Sequence, residues 1–185
     1  MKKVLPWLVL GGVLGAMTIQ LRLQGRLWLC ACGHVAAWAG NVNSPENSQQ
    51  LFDPYSFTHV LHGFMFFGAV HLVWPHLSQA WKMVTALSVE ALWEVIENTS
   101  FIIERYRSET VSIGYTGDTI LNSFGDIAAC ALGAVIARQL GVVKTLVLAA
   151  AIEAGLLLTI RDSLLLNIIM LIYPLDALRV WQAGG

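Results

Sequence analysis

Five stretches of this chain are apolar over about the length of one bilayer crossing, which takes about 20 residues. They cover residues 4–21, 53–74, 80–103, 117–140 and 142–160. A sixth, 163–173, is short for a crossing and reads as re-entrant or as a kinked helix running on toward Trp181. In lipid a backbone must satisfy its own polar groups, so such runs fold as helices. The expectation is an all-α polytopic membrane bundle of five or six transmembrane helices. Residues 1–185 form a single integral membrane domain. Composition agrees: 56% of residues are hydrophobic and only 12% charged, against about 25% charged in soluble domains. That excludes a disordered chain, and a net charge of −1 excludes a basic nucleic-acid binder. Three cysteines are too few for a disulfide scaffold. No small-x-small cleavage site follows Met1-Lys2-Lys3 and the first apolar run, so that run reads as a retained span.

Helix boundaries and packing faces are partly readable. Asp53-Pro54 reads as a cap and first-turn proline for the second span, and Pro75 stops it. Gly11-x3-Gly15 offers a close-packing face on the first span. The Gly125, Ala129, Gly133, Ala137 line offers another on the fourth. Tryptophans 7, 28, 74, 81 and 181 fall near span ends, as an interfacial belt requires. Basic residues divide six against five between the two sides, with Lys2 among the six. We read the amino terminus as cytoplasmic and the polar loops as periplasmic, in a bacterial inner membrane.

The scarce charge is unevenly placed. Every lysine and arginine falls in a loop or at a span end. Glu90, Glu94, Glu97, Asp118, Asp126 and Glu153 fall within or at the edge of spans. A carboxylate at a helix centre costs about 2.5–3.5 kcal/mol to insert and points to function. At about 100° per residue, Glu90, Glu94 and Glu97 share one face of the third span. Asp118, Asn122 and Asp126 share a face of the fourth, and His59 and His62 a face of the second. His71 points elsewhere. With a rise of about 1.5 Å per residue, His62, Glu94 and Asn122 lie at matching depth, roughly 8–12 Å from one membrane side.

A His pair with carboxylates from facing helices is how bundle metal sites are built. We therefore assign His59, His62, Glu94, Asp118 and Asp126 as candidate ligands for Zn, Mn or Fe. Glu94 and Glu97 are the candidate catalytic carboxylates. Arg105, Arg107 and Arg161, with Asn98 and Asn122, are the candidate substrate-binding residues, the arginines for an anionic headgroup. Bland readings stand beside these: interfacial histidines bonded to a loop, a protonated carboxyl pair, arginines anchored on lipid headgroups or paired with Glu104, Glu109 and Asp162, and Asp118 as a helix cap. Residues 44–50 read first as a solvated connector, with a lid over the mouth as the alternative. Cys30 and Cys32 stand too close for an unstrained disulfide within a helix or strand, and with His34 they make an incomplete metal set. Cys130 reads as packing. Glu153 is open between proton relay and interhelical hydrogen bond.

The sequence carries Cys30-x-Cys32-Gly33, Ser44-Pro45-Glu46-Asn47-Ser48-Gln49-Gln50, Tyr55-Ser56-x2-His59-x2-His62-Gly63 and Trp93-Glu94-x2-Glu97-Asn98. Arg105-Tyr106-Arg107, Gly117-Asp118-x3-Asn122-Ser123-x2-Asp126 and Arg161-Asp162-x4-Asn167 follow. Over nearly the whole chain this pattern resembles a bacterial inner-membrane family of unknown function, which implies a membrane location and no chemistry. Residues 94–133 also resemble the VanZ-like group through Glu94, the arginine loop and Asp118-x3-Asn122-x2-Gly125. Ala129 replaces that group's last glycine, and Asp126 is an addition. This second resemblance implies a role with envelope components or amphiphiles. Three functions stay open: a metal-dependent enzyme on a lipid-like substrate, a binder or transporter of an amphiphile, and a structural membrane protein. No Gly-x-Ser-x-Gly or His-Glu-x-x-His motif is present.

Overall fold

The computed structural model describes residues 3–110 and 114–184; Lys2 lies outside them. The chain is all-helical there, apart from one isolated bridge between Trp38 and Phe52. In chain order the helices are α1 (Leu5–Leu23), α2 (Ser56–Val73), α3 (Gln79–Glu97) and α4 (Ser100–Glu109). They continue with α5 (Ile120–Leu140), α6 (Val142–Ile160), α7 (Leu164–Ile172) and α8 (Asp176–Gln182).

Among the described residues four helices, α1, α2, α5 and α6, are long and apolar enough to cross a membrane, fewer than the five or six expected. Three physical reasons account for the difference. Helix α3 has the length but carries Lys82, Glu90, Glu94 and Glu97, and it packs among α1, α2 and α5. The third apolar run also does not continue to residue 103. Thr99 turns out of the helix and its hydroxyl accepts the Ile102 N–H, starting α4 afresh. Helix α7 has only nine residues.

The centre is the α2–α5 pair. A Cβ on Gly63 would overlap the Cys130 carbonyl oxygen, and one on Gly133 the Val60 carbonyl oxygen. Only glycine lets these backbones meet so closely. The α5 small-residue line therefore packs as expected, whereas Gly11 and Gly15 of α1 face open space. Instead α1 uses Met17 and Leu21 against Ala91, Ile120 and Ile127. Phe67, Met83, Leu87 and Cys130 fill the layer between α2, α3 and α5, so Cys130 is a packing residue. Trp7, Trp28, Trp74 and Trp181 are exposed, consistent with a belt. Gly133→Ala is expected to lower stability by about 1–3 kcal/mol through overpacking. Gly155→Ala, inside α6 on an open face, is expected to raise it by up to about 1 kcal/mol. Thermal unfolding in detergent compares the two, and equal midpoints would sink the close-contact argument.

Candidate functional site

The start of α2, the end of α3 and the start of α5 meet at one end of the bundle, as the depth argument required. They enclose a cavity of about 630 Å³, within the range of ligand sites. Its polar side carries His59, His62, Glu97, Asp118, Asn122 and Asp126. Its apolar side carries Met65, Phe66, Trp93, Leu164, Ile168 and Leu171.

Glu90 organises the centre. Its carboxylate lies 2.5 Å from His59 Nδ1 and 3.0 Å from His62 Nδ1. All three residues are buried. Both imidazoles can donate Nδ1–H to it, which leaves each Nε2 with a free lone pair. His59 Nε2 looks toward Asp126 Oδ2 at 3.8 Å, while Ser56 donates to the other oxygen of Asp126. His62 is fixed by stacking on Phe66 and by an edge contact with Trp93. The donor atoms of His59, His62 and Glu90 are close enough to hold one metal ion, as are those of His59, Glu94 and Glu97.

Glu94 is fully buried, and neither of its oxygens accepts a hydrogen bond among the described residues. His59 Nδ1 stands 3.5 Å from one of them. Glu97 lines the cavity and faces the Tyr106 hydroxyl. Asp118 stands apart from the ligand groups. It exchanges two 2.7 Å hydrogen bonds with Asn98 and accepts from Tyr115. Burial pushes its pKa up to about 6. It is not the cap of α5; Thr119 is, accepting the Asn122 N–H.

The arginines do not gather at the cavity. Arg105 donates to the Leu171 carbonyl, Arg107 pairs with Glu104, and Arg161 donates to the Trp181 carbonyl. No lysine or arginine lines the cavity among the described residues. Residues 44–50 are a fixed rim, not a free connector. Asp53 accepts the Ser48 N–H at 2.8 Å, Thr119 N–H donates to the Ser48 carbonyl, and Asn122 Nδ2 donates to the Gln50 carbonyl. Asp53 thus fastens the rim, while α2 begins at Ser56. Cys30 and Cys32 form a disulfide, because they lie in a tight turn outside any helix or strand. Glu153 accepts the Leu165 N–H at 3.4 Å, and His71 meets the buried Lys82 at 3.0 Å.

Residues outside the assigned set also shape the site. Glu90 stands on the shared face of α3 named above, at the deeper level it shares with Asp126. Tyr55 donates to Asp162, which also accepts from Gln182; burial raises the Asp162 pKa to about 6. That cluster ties α8 to the start of α2, a contact with no local sequence signal.

A protein-family profile described as "Protein of unknown function (DUF2585)" matches residues 21–184. A UPF0314 protein of Novosphingobium aromaticivorans is 48% identical over 179 residues, covering 94% of this chain and 90% of that protein. One from Rhizobium meliloti is 44% identical over 173 residues, covering 94% and 88%. One from Paracoccus denitrificans is 46% identical over 160 residues, covering 86% and 83%. No solved structure matches. The resemblance to VanZ-like proteins finds no support in these matches. A profile covering most of the chain and relatives at this identity agree with each other: the chain belongs to the DUF2585 family, proteins of unknown function.

Proposed function

We propose that this protein is a metal-dependent membrane enzyme that acts on an amphiphile. The observation that carries the reading is Glu90 bridging the two Nδ1 atoms while both rings line the cavity. Metal-binding histidines commonly donate their other ring N–H to a carboxylate, which fixes tautomer and orientation. His59 and His62 would then offer Nε2 toward the cavity, where Asp126 Oδ2 stands 3.8 Å from His59 Nε2. Glu90 acts from behind, and Asp118 stays outside the ligand shell. A divalent ion held there supplies Lewis acidity and a more acidic bound water. Glu97 is the group placed to exchange a proton in the cavity. Glu94 tunes the field at His59.

The cavity suits a molecule with a polar head and an apolar body. Met65 and Ile168 line it while 45% and 39% exposed, so the apolar wall runs out to the flank of the bundle. The three arginines are not headgroup ligands in this reading, since each is bonded elsewhere; the cation would take that role. We keep the mouth periplasmic. Arg22, Arg26, Arg105 and Arg161 on that side all bond backbone carbonyls and so serve local structure.

The test is elemental analysis after chelator-free purification. About one divalent ion per chain is expected in the native protein, and none in His59→Ala/His62→Ala. A metal-free native protein overturns the reading. Metal at stoichiometry without turnover of any lipid extract would favour an amphiphile binder instead.

A further inference from the structure

A second cluster of metal-ligating side chains sits beside the rim, away from His59 and His62. Gly33, at φ +86°, reverses the chain after Cys32, and the Cys30 Sγ and Cys32 Sγ atoms come together. His34 Nε2 lies 3.2 Å from Glu46 Oε2, which the rim loop brings in from twelve residues further on. The Cys32, His34 and Glu46 donor atoms are close enough to share one ion.

Gln50 marks where that ion would sit. Its single Nε2 lies 3.3 Å from Cys32 Sγ, 3.5 Å from His34 Nε2 and 3.3 Å from Glu46 Oε2. Three potential ligand atoms thus converge on one electropositive atom. A cation at that point meets all three at once. The His34 and Glu46 side chains are 54% and 35% exposed, so an ion can enter from solvent.

We propose that Cys30, Cys32, His34 and Glu46 form a second metal site, for Zn2+ or a similar thiophilic divalent ion, in the dithiol state. Two thiolates, an imidazole and a carboxylate make a four-ligand set suited to zinc. The disulfide form has no thiolate to give, so disulfide and metal exclude each other. Reduction by a phosphine balances with water: the phosphine becomes its oxide and the disulfide becomes two thiols. Metal binding then releases both thiol protons. The Gln50 Nε2 yields this point to the ion, while Gln50 Oε1 keeps the Ala36 N–H and the Gln50 backbone carbonyl keeps its bond to Asn122.

The probe is Co2+ titrated into the purified full chain in detergent, before and after phosphine treatment. Reduced protein is expected to gain a thiolate-to-cobalt charge-transfer band that saturates at one ion per chain. Unreduced protein should lack it. Cys30→Ser and Cys32→Ser should abolish the band, and His34→Ala should weaken the titration. Cys130 is fully buried and stays silent. His59→Ala/His62→Ala should keep the band, so this test and that of the first site fail separately. Thermal midpoints of the serine variants confirm that they fold. No band in the reduced native protein, or a band surviving in folded Cys32→Ser, overturns the proposal.

Discussion

Glu90→Ala is expected to lower stability by about 1–3 kcal/mol for each Nδ1–H it orphans, the cost of leaving a buried donor unsatisfied. Two imidazoles lose one carboxylate in a single step, since Glu90 is the partner of both Nδ1 atoms. Neither ring has a replacement of equal geometry. Glu94 is the nearest other carboxylate to His59 Nδ1 at 3.5 Å. Unfolding in detergent measures the loss. Glu90→Gln separates structure from function: one amide accepts one N–H but presents its own N–H to the other ring. That ring must change tautomer and turns a protonated Nε2 toward the cavity. Metal affinity is expected to fall about 10–100-fold, as it does when an outer-shell partner is lost. Complete loss of binding in a folded Glu90→Gln protein would make Glu90 a direct ligand. Unchanged binding would remove it from the site.

The fold was legible where one physical rule decides. Lipid length and apolarity located α1, α2, α5 and α6 to within a few residues, and small residues at Gly125, Ala129 and Gly133 marked the α5 contact face. The rule fails for α3, where amphipathic packing inside the bundle replaces lipid contact. It fails again at Thr99, where a single hydroxyl cap ends one helix and starts another. Helical angle and depth brought His59, His62, Glu97 and Asp126 to one cavity. Angle alone did not rank Glu90 above Glu94, because both share the face and only side-chain rotamers decide which meets the imidazoles. The arginines misled for a related reason. Arg107 pairs within its own helix with Glu104, whereas the carbonyls that engage Arg105 and Arg161 come from α7 and α8, distant in sequence.

Glu94→Gln is expected to raise stability while weakening the site, the opposite of Glu90→Ala. A fully buried carboxylate that accepts no hydrogen bond carries a desolvation cost of about 1–3 kcal/mol or more. The neutral amide of the same shape removes the charge and keeps the volume. A stability gain of about 1–2 kcal/mol is therefore expected in metal-free protein, read as a higher thermal midpoint. The cost appears in metal affinity. Changing the group 3.5 Å from His59 Nδ1 alters what holds the ring, and about a 10–100-fold loss is expected. Such a trade marks a residue kept for function at the expense of stability. A purely structural role predicts that Glu94→Gln lowers the midpoint and leaves metal binding alone. Isothermal titration of Zn2+ alongside the thermal scan separates the two outcomes, because the readouts move in opposite directions only when the unpartnered carboxylate serves the His59 site.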